Sequence, residues 1–315
     1  MVATQNEIAP TIEPLEQLIE RLHREPLRVW SIVITIFGDA VVPRGGVVWL
    51  GTLQAITQRL GIEAGTLRAA MSRLTRDGWL ERERRGRKSY YALAPDGRHA
   101  FDMATRRVYA ADDPNWSGDW TLALLTDETA RARDARLRKL ARFGFASPAN
   151  GVYLRPETTE APSAAEALSG MVVFRARGQE TEDLCALAAS VWDFALIEQA
   201  YGHFCAIYGP IESSPIEVSK LAPIDAMALR TLLVHDFRRV VLKDPRLPED
   251  LVAPSATAIE ARALVQSLYR QVLLQSEVWL DQCVGAPTGP LPPPSREFHE
   301  RFGGLEKQKC YQNIC

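Results

Sequence analysis

Cysteine is scarce in this chain. The five cysteines, Cys185, Cys205, Cys283, Cys310 and Cys315, form no CxxC pair, and an odd, scattered count suits a reducing cytoplasm better than a disulfide framework. Histidine is also thin and dispersed (His23, His99, His203, His235, His299). A structural zinc needs four convergent ligands, usually from two close pairs, so no metal site is expected. Long apolar runs are missing: nothing approaches the roughly 18 consecutive apolar residues of a membrane span. The first twenty residues, MVATQNEIAPTIEPLEQLIE, are acidic and lack an apolar segment, which excludes a secretory signal. No Gly-rich phosphate loop, Ser/His/Asp set or Cys/His arrangement stands out, so the sequence offers no catalytic site of its own.

What is present is an ordinary globular composition, 46% apolar and 24% charged, over 315 residues. That length exceeds the usual single core and predicts two or three domains. The net charge is only −2, yet it is unevenly placed. The window 59–98 holds ten bases (Arg59, Arg68, Arg73, Arg76, Arg82, Arg84, Arg85, Arg87, Lys88, Arg98) against five acids, a local +5 that leaves −7 for the rest. Such a split implies a module built for a polyanion, attached to a body that is not.

The local pattern gives that module a shape. Residues 1–25 form an acidic, partly helical arm that Pro26 ends. In LRVWSIVITIFGDAVV the β-branched density suggests a strand, but Trp30, Val33, Ile34 and Phe37 follow helical spacing, and a helix is expected as a packing partner. Leu53, Ile56 and Leu60 mark a second helix, closed by Gly61 where a left-handed C-cap residue belongs. A third helix turns Leu67, Ala70, Met71 and Leu74 inward, leaving Gly65, Arg68, Ala69, Ser72, Arg73 and Arg76 outside. Small residues and arginines on one stripe can approach a groove closely while donating to phosphates and base edges. Trp79–Arg84 and Ser89–Leu93 read as strands around the turn Arg85–Lys88, with Gly86 allowing the reversal and Val47–Leu50 as a third strand. The set is a winged helix-turn-helix that binds double-stranded DNA through Arg68, Ala69, Ser72, Arg73, Arg76, Arg85, Arg87 and Lys88.

The run GDAVVPRGGVVWLGTLQAITQRLGIEAGTLRAAMSRLTRDGWLERERRGRKSYYAL resembles the PaaX-like family of phenylacetate-degradation operon repressors. So does LRTLLVHDFRRVVLKDPRLPEDL (Leu229–Leu251), in the family's order; the resemblance spans about Leu27 to Leu280. It implies an α+β protein with three parts: a winged helix-turn-helix, a ferredoxin-like middle domain related to CRISPR-associated nucleases, and a helical C-terminal domain. It also implies a homodimer released from its operator by an aryl-coenzyme A thioester such as phenylacetyl-CoA, with no cofactor. The sequence departs from the family after DPRLP, where VAPSATAIEA replaces the usual Trp-Pro-Gly segment.

The remaining residues are compatible with that division. Ala94–Ala111 suggests a linking helix, and Trp120–Thr126, Gly151–Arg155 and Met171–Arg175 suggest strands. Arg131–Phe143 is a basic amphipathic helix with Leu137 and Leu140 inward, and the order fits a ferredoxin-like unit. Asp127 ends the first strand, where a related nuclease would place a metal-binding carboxylate. It lacks a companion cluster and is read as a helix cap. On the helix Asp225–Leu242, His235, Arg238 and Arg239 lie within one turn. They pair with carboxylates such as Asp236 and Asp244, or they hold coenzyme A phosphates with Trp192 and Tyr201 as apolar walls. The expected boundaries are an arm (1–25), the winged helix (26–111), the ferredoxin-like domain (112–178), a helical effector and dimerisation domain (179–285) and a Pro-rich mobile tail (286–315). Two alternatives stand beside the repressor: a metal-dependent nuclease, and a winged-helix regulator with another effector or none.

Overall fold

The computed structural model describes residues 13–24, 28–110, 115–125, 129–158, 161, 163–178, 181–214, 218–253, 255–287 and 289–305. It combines helices with antiparallel sheets, an α+β architecture, in two units. The first comprises Met1–Tyr109, Ala206–Phe237 and Arg262–Cys315; the second comprises Ala110–Cys205 and Arg238–Ala261. This corrects the expected boundary at 179–285. The long helices that were to form a separate domain bury much of their apolar surface in the first unit.

In the first unit, Val29–Ile36 is helical (α2, after α1, Glu13–Arg24), as its spacing predicts. Five of its residues, Val29 and Ile32 to Ile34 with Ile36, are buried apolar side chains, so burial outweighs β-branched propensity. A wide π turn, Phe37–Val41, follows, and then β1 (Val47–Trp49) and α3 (Leu50–Arg59). Gly61 ends α3 in the left-handed region at φ +73°, where L side chains are disfavoured. Helix α4 (Ala64–Arg76) packs Leu67, Ala70, Met71 and Leu74 inward and lies against α2. Strands β2 (Leu80–Arg85) and β3 (Lys88–Leu93) pair with β1 in the order β1-β3-β2, all antiparallel. Helix α5 (Pro95–Tyr109) completes the contiguous part.

Helix α1 of the acidic arm is part of this core, with Leu15, Leu18 and Ile19 buried. So is the segment after the last long helix. Phe298, Arg301 and Phe302 are buried, and Val284–Ala286 pairs with Gly289–Pro290. Residues 286–287 and 289–305 are therefore packed structure, against the expected mobile tail. The polar composition concealed aromatic side chains that fill the core.

The second unit is a four-stranded antiparallel sheet made of β4 (Trp116–Leu124), β5 (Ala146–Ala149), β6 (Val152–Thr158) and β7 (Val172–Arg177). The order is β5-β6-β4-β7, with helix α6 (Ala130–Ala141) between β4 and β5. Successive strand residues point to opposite faces. Ala123 and Tyr153 accordingly join Leu140 and Phe145 in one cluster, while Trp120 and Leu154 join Leu251, Trp116 and Trp192 in the other. Strand β5 went unread because SPA carries no strand pattern. Strand β4 begins four residues before the expected strand, across a bulge between Trp116 and Trp120.

Candidate nucleic-acid interface

Helix α4 is amphipathic in one simple way. Its buried face is aliphatic, and Gly65, Arg68, Ala69, Ser72, Arg73 and Arg76 are all exposed, with no carboxylate among them. The β2–β3 hairpin that follows has its tip at Gly86–Arg87, because Arg85 pairs with Lys88 in the register. Gly86 takes φ +59° as the first central residue, the conformation a two-residue hairpin of the II′ kind requires there. Arg82, Arg84, Arg85, Arg87 and Lys88 are all exposed.

The hydrogen bonds sort these cations. Arg68 and Arg87 have no ion pair among the described residues. Arg73 donates to Asp77 at 3.4 Å, and Arg76 lies 3.6 Å from the same carboxylate. Arg85 donates to Glu83 at 2.7 Å, two residues along the strand and on the same face. Exposed pairs of this kind are worth little, so a phosphate can displace the acid from Arg73 and Arg76. Arg85 is the one member of the expected set that begins neutralised by a neighbour on its own strand. Lys88 places its ammonium 4.8 Å from the centroid of the Trp49 ring, which orients it by cation–π attraction. Arg59 proves structural: it donates to Glu16 at 2.9 Å and to Asp225, tying α3 to α1 and to the helix Pro223–Val241.

The turn that follows α2, the helix packed on α4, is held by a buried ion cluster that sequence reasoning missed. Asp39, on the π turn, is buried and accepts from Tyr109 (2.6 Å), Tyr269 (2.9 Å), Arg230 Nε (2.6 Å) and Arg301 (3.1 Å). Arg230, fully buried, also donates to Ser276 and Glu277, and Glu277 accepts from Arg44 as well. The backbone carbonyls of Gly38 and Asp39 accept from Arg301, which accounts for the opened helical turn. Burial alone would raise the Asp39 pKa; Arg230 and Arg301 outweigh it and hold the carboxyl below its ordinary value. Burial pushes the Tyr109 hydroxyl well up, so it stays a donor.

The expected effector residues lie as follows. Tyr201 is fully buried and donates to Asp244 at 2.7 Å. His235 is buried with Nδ1 3.2 Å from the Thr35 hydroxyl. Trp192 packs against the Trp120–Leu154–Leu251 cluster, Arg238 is half-buried and Arg239 is exposed. Asp127 lies outside the described residues. Among the described residues, no group of three His, Cys, Asp or Glu side chains is placed to hold a metal ion. Nor is any described helix long and apolar enough to cross a membrane.

An exposed arginine face on a helix that itself carries no carboxylate, beside a basic hairpin, is the kind of surface that nucleic-acid-binding proteins present. Known proteins supply the particulars. The PaaX-like protein family matches residues 28–97, and the PaaX-like C-terminal domain matches residues 192–282. The transcriptional repressor PaaX of Escherichia coli (strain K12) is 31% identical over 290 residues, which is 89% of this chain and 92% of that one. The solved structure of an uncharacterized protein from Mycobacterium tuberculosis aligns with 73% of this chain and 90% of its own, at 21% identity and a TM-score of 0.47. The chain belongs to the PaaX-like family, a family of transcriptional regulators and not of enzymes.

Proposed function

We propose that the chain is a DNA-binding repressor of an aromatic-acid (phenylacetate) catabolic operon, acting as a homodimer and released by an aryl-CoA. The observation that carries the reading is the exposed, carboxylate-free face of α4 next to the β2–β3 hairpin. The helices α2, α3 and α4, with β1 between α2 and α3 and the β2–β3 hairpin after α4, suit a winged helix-turn-helix, in which α4 enters the major groove. The sheet order β5-β6-β4-β7 suits a ferredoxin-like middle domain. Arg68, Ser72 and Arg73 then face base edges, and Arg76, Arg87 and Lys88 face phosphates. Replacing Lys88 by alanine is expected to weaken all duplexes alike and to lower the salt slope by about 1. Fluorescence anisotropy over a salt series reads this; a change confined to the operator would contradict the role.

The dimer requires a pseudo-palindromic operator with half-sites about 10 bp apart or a multiple of it. Sedimentation giving the mass of one chain, with tight operator binding intact, would overturn that part. An aryl-CoA has an anionic and an apolar half, and needs cations at one end and apolar walls at the other. Arg238 and Arg239 with Trp192 supply the types; Tyr201 and His235 contribute only if they leave their present partners. Phenylacetyl-CoA is expected to weaken operator binding where free phenylacetate does not, and Arg238→Ala or Arg239→Ala to blunt that response while sparing DNA affinity. Calorimetry with no heat of aryl-CoA binding would remove the effector. The VAPSATAIEA segment in place of Trp-Pro-Gly favours, as the second reading, a repressor of the same kind with a different effector.

A further inference from the structure

The −7 carried outside the basic window conceals one surface of the opposite sign. Helix α6 (Ala130–Ala141) holds Arg131, Arg133, Arg136, Arg138 and Lys139 against a single acid, Asp134, and Arg142 caps its end. At about 100° per residue, Arg131, Arg138 and Arg142 fall within some 40° of one another, on the side opposite the buried Leu140. All three are exposed. None of the three has an ion pair among the described residues, and Lys139 beside them meets only the exposed Glu166 at 3.8 Å. Three guanidinium groups thus stand in a row about 16 Å long at 1.5 Å per residue.

A small anionic ligand does not suit this geometry. The row lies on the outer side of a helix, convex and without an apolar wall, whereas a nucleotide or thioester needs a concave site. An extended, regularly charged polymer does suit it: duplex DNA spaces one phosphate every 3.4 Å along each strand, and arginine matches phosphate oxygens well. The helix's single acid, Asp134, stands three residues after Arg131 and four before Arg138, yet it forms no ion pair with either among the described residues.

We infer that the Arg131–Arg138–Arg142 row of α6 is a second DNA-backbone contact, made to duplex flanking the bases that α4 reads. The inference rests on the DNA-binding reading above and extends it to the second unit. It carries no sequence information, because phosphate contacts position a protein without specifying bases.

The test compares the full chain with Arg131→Ala/Arg138→Ala/Arg142→Ala on two duplexes: the operator with about 15 bp of flanking DNA on each side, and the operator trimmed to its half-sites. On the long duplex the variant is expected to lose 2–3 units of slope of log affinity against log salt, near 0.9 per lost phosphate contact. Its preference for operator over scrambled sequence should be unchanged, and on the trimmed duplex it should equal the wild type. The charge-keeping Arg131→Lys/Arg138→Lys/Arg142→Lys variant should retain the slope, which separates contact from misfolding. An unchanged slope on the long duplex, or an equal loss on both, overturns the inference while leaving operator recognition intact. Were the wild type to bind no duplex, both readings would fall together.

Discussion

Replacing Asp39 by alanine is expected to lower the unfolding free energy by about 3–5 kcal/mol, the range for breaking a buried charge pair from one side. Arg230 is fully enclosed and would keep only Glu277 of its two carboxylate partners, and Arg301, nearly enclosed, would lose its carboxylate among the described residues. Tyr109 and Tyr269 would lose their acceptor at the same time. The effect reaches function through α2, which runs into the Asp39 turn and packs on α4. The pH dependence has a definite sign. The Asp39 carboxyl titrates below its ordinary value of 3.8 when folded, so its contribution is complete above that value and fades as pH falls through the lower, folded one. Asp39→Asn should therefore lack this part of the acid limb. Urea unfolding between neutral pH and pH 2 reads both effects. A loss below about 1 kcal/mol would mean that the cluster does not hold the first unit together.

Arg68→Ala is expected to reduce operator affinity by about 1–3 kcal/mol, roughly 5- to 150-fold, and to relax preference at one base-pair position. Among the cations on α4, Arg68 is the one with no acid to release. Arg73 and Arg76 must first leave Asp77, a small cost at an exposed site. A uniform loss across all sequences would place Arg68 on the backbone instead of on a base edge.

Much of the candidate interface's shape was legible because the signals are local. Leu67, Ala70, Met71 and Leu74 repeat at helical spacing and are all buried, so the outward arginines followed from counting. Gly61 and Gly86 sit where positive φ is needed. The Arg85–Glu83 pair was equally local, since alternate residues share a strand face, and was overlooked. The ion cluster was beyond such reasoning. Asp39 meets Arg230 and Arg301 at separations of 191 and 262 residues, and its GDA context suggests a turn. The same holds for the packing of 289–305, whose Phe298 and Phe302 acquire meaning only beside Arg230 and Tyr269. Where charged residues partner at long range, composition predicts a solvated tail and the fold makes a core.

The central claim is that the outer face of α4 reads operator bases. Footprinting of the full chain on the DNA upstream of its own gene and of phenylacetate-catabolic genes, with excess non-specific competitor, tests it most directly. The account predicts a protected pseudo-palindrome with half-sites about 10 bp apart or a multiple of it, lost on Arg68→Ala/Arg73→Ala while weak non-specific binding persists. Protection that survives this double substitution unchanged would contradict it.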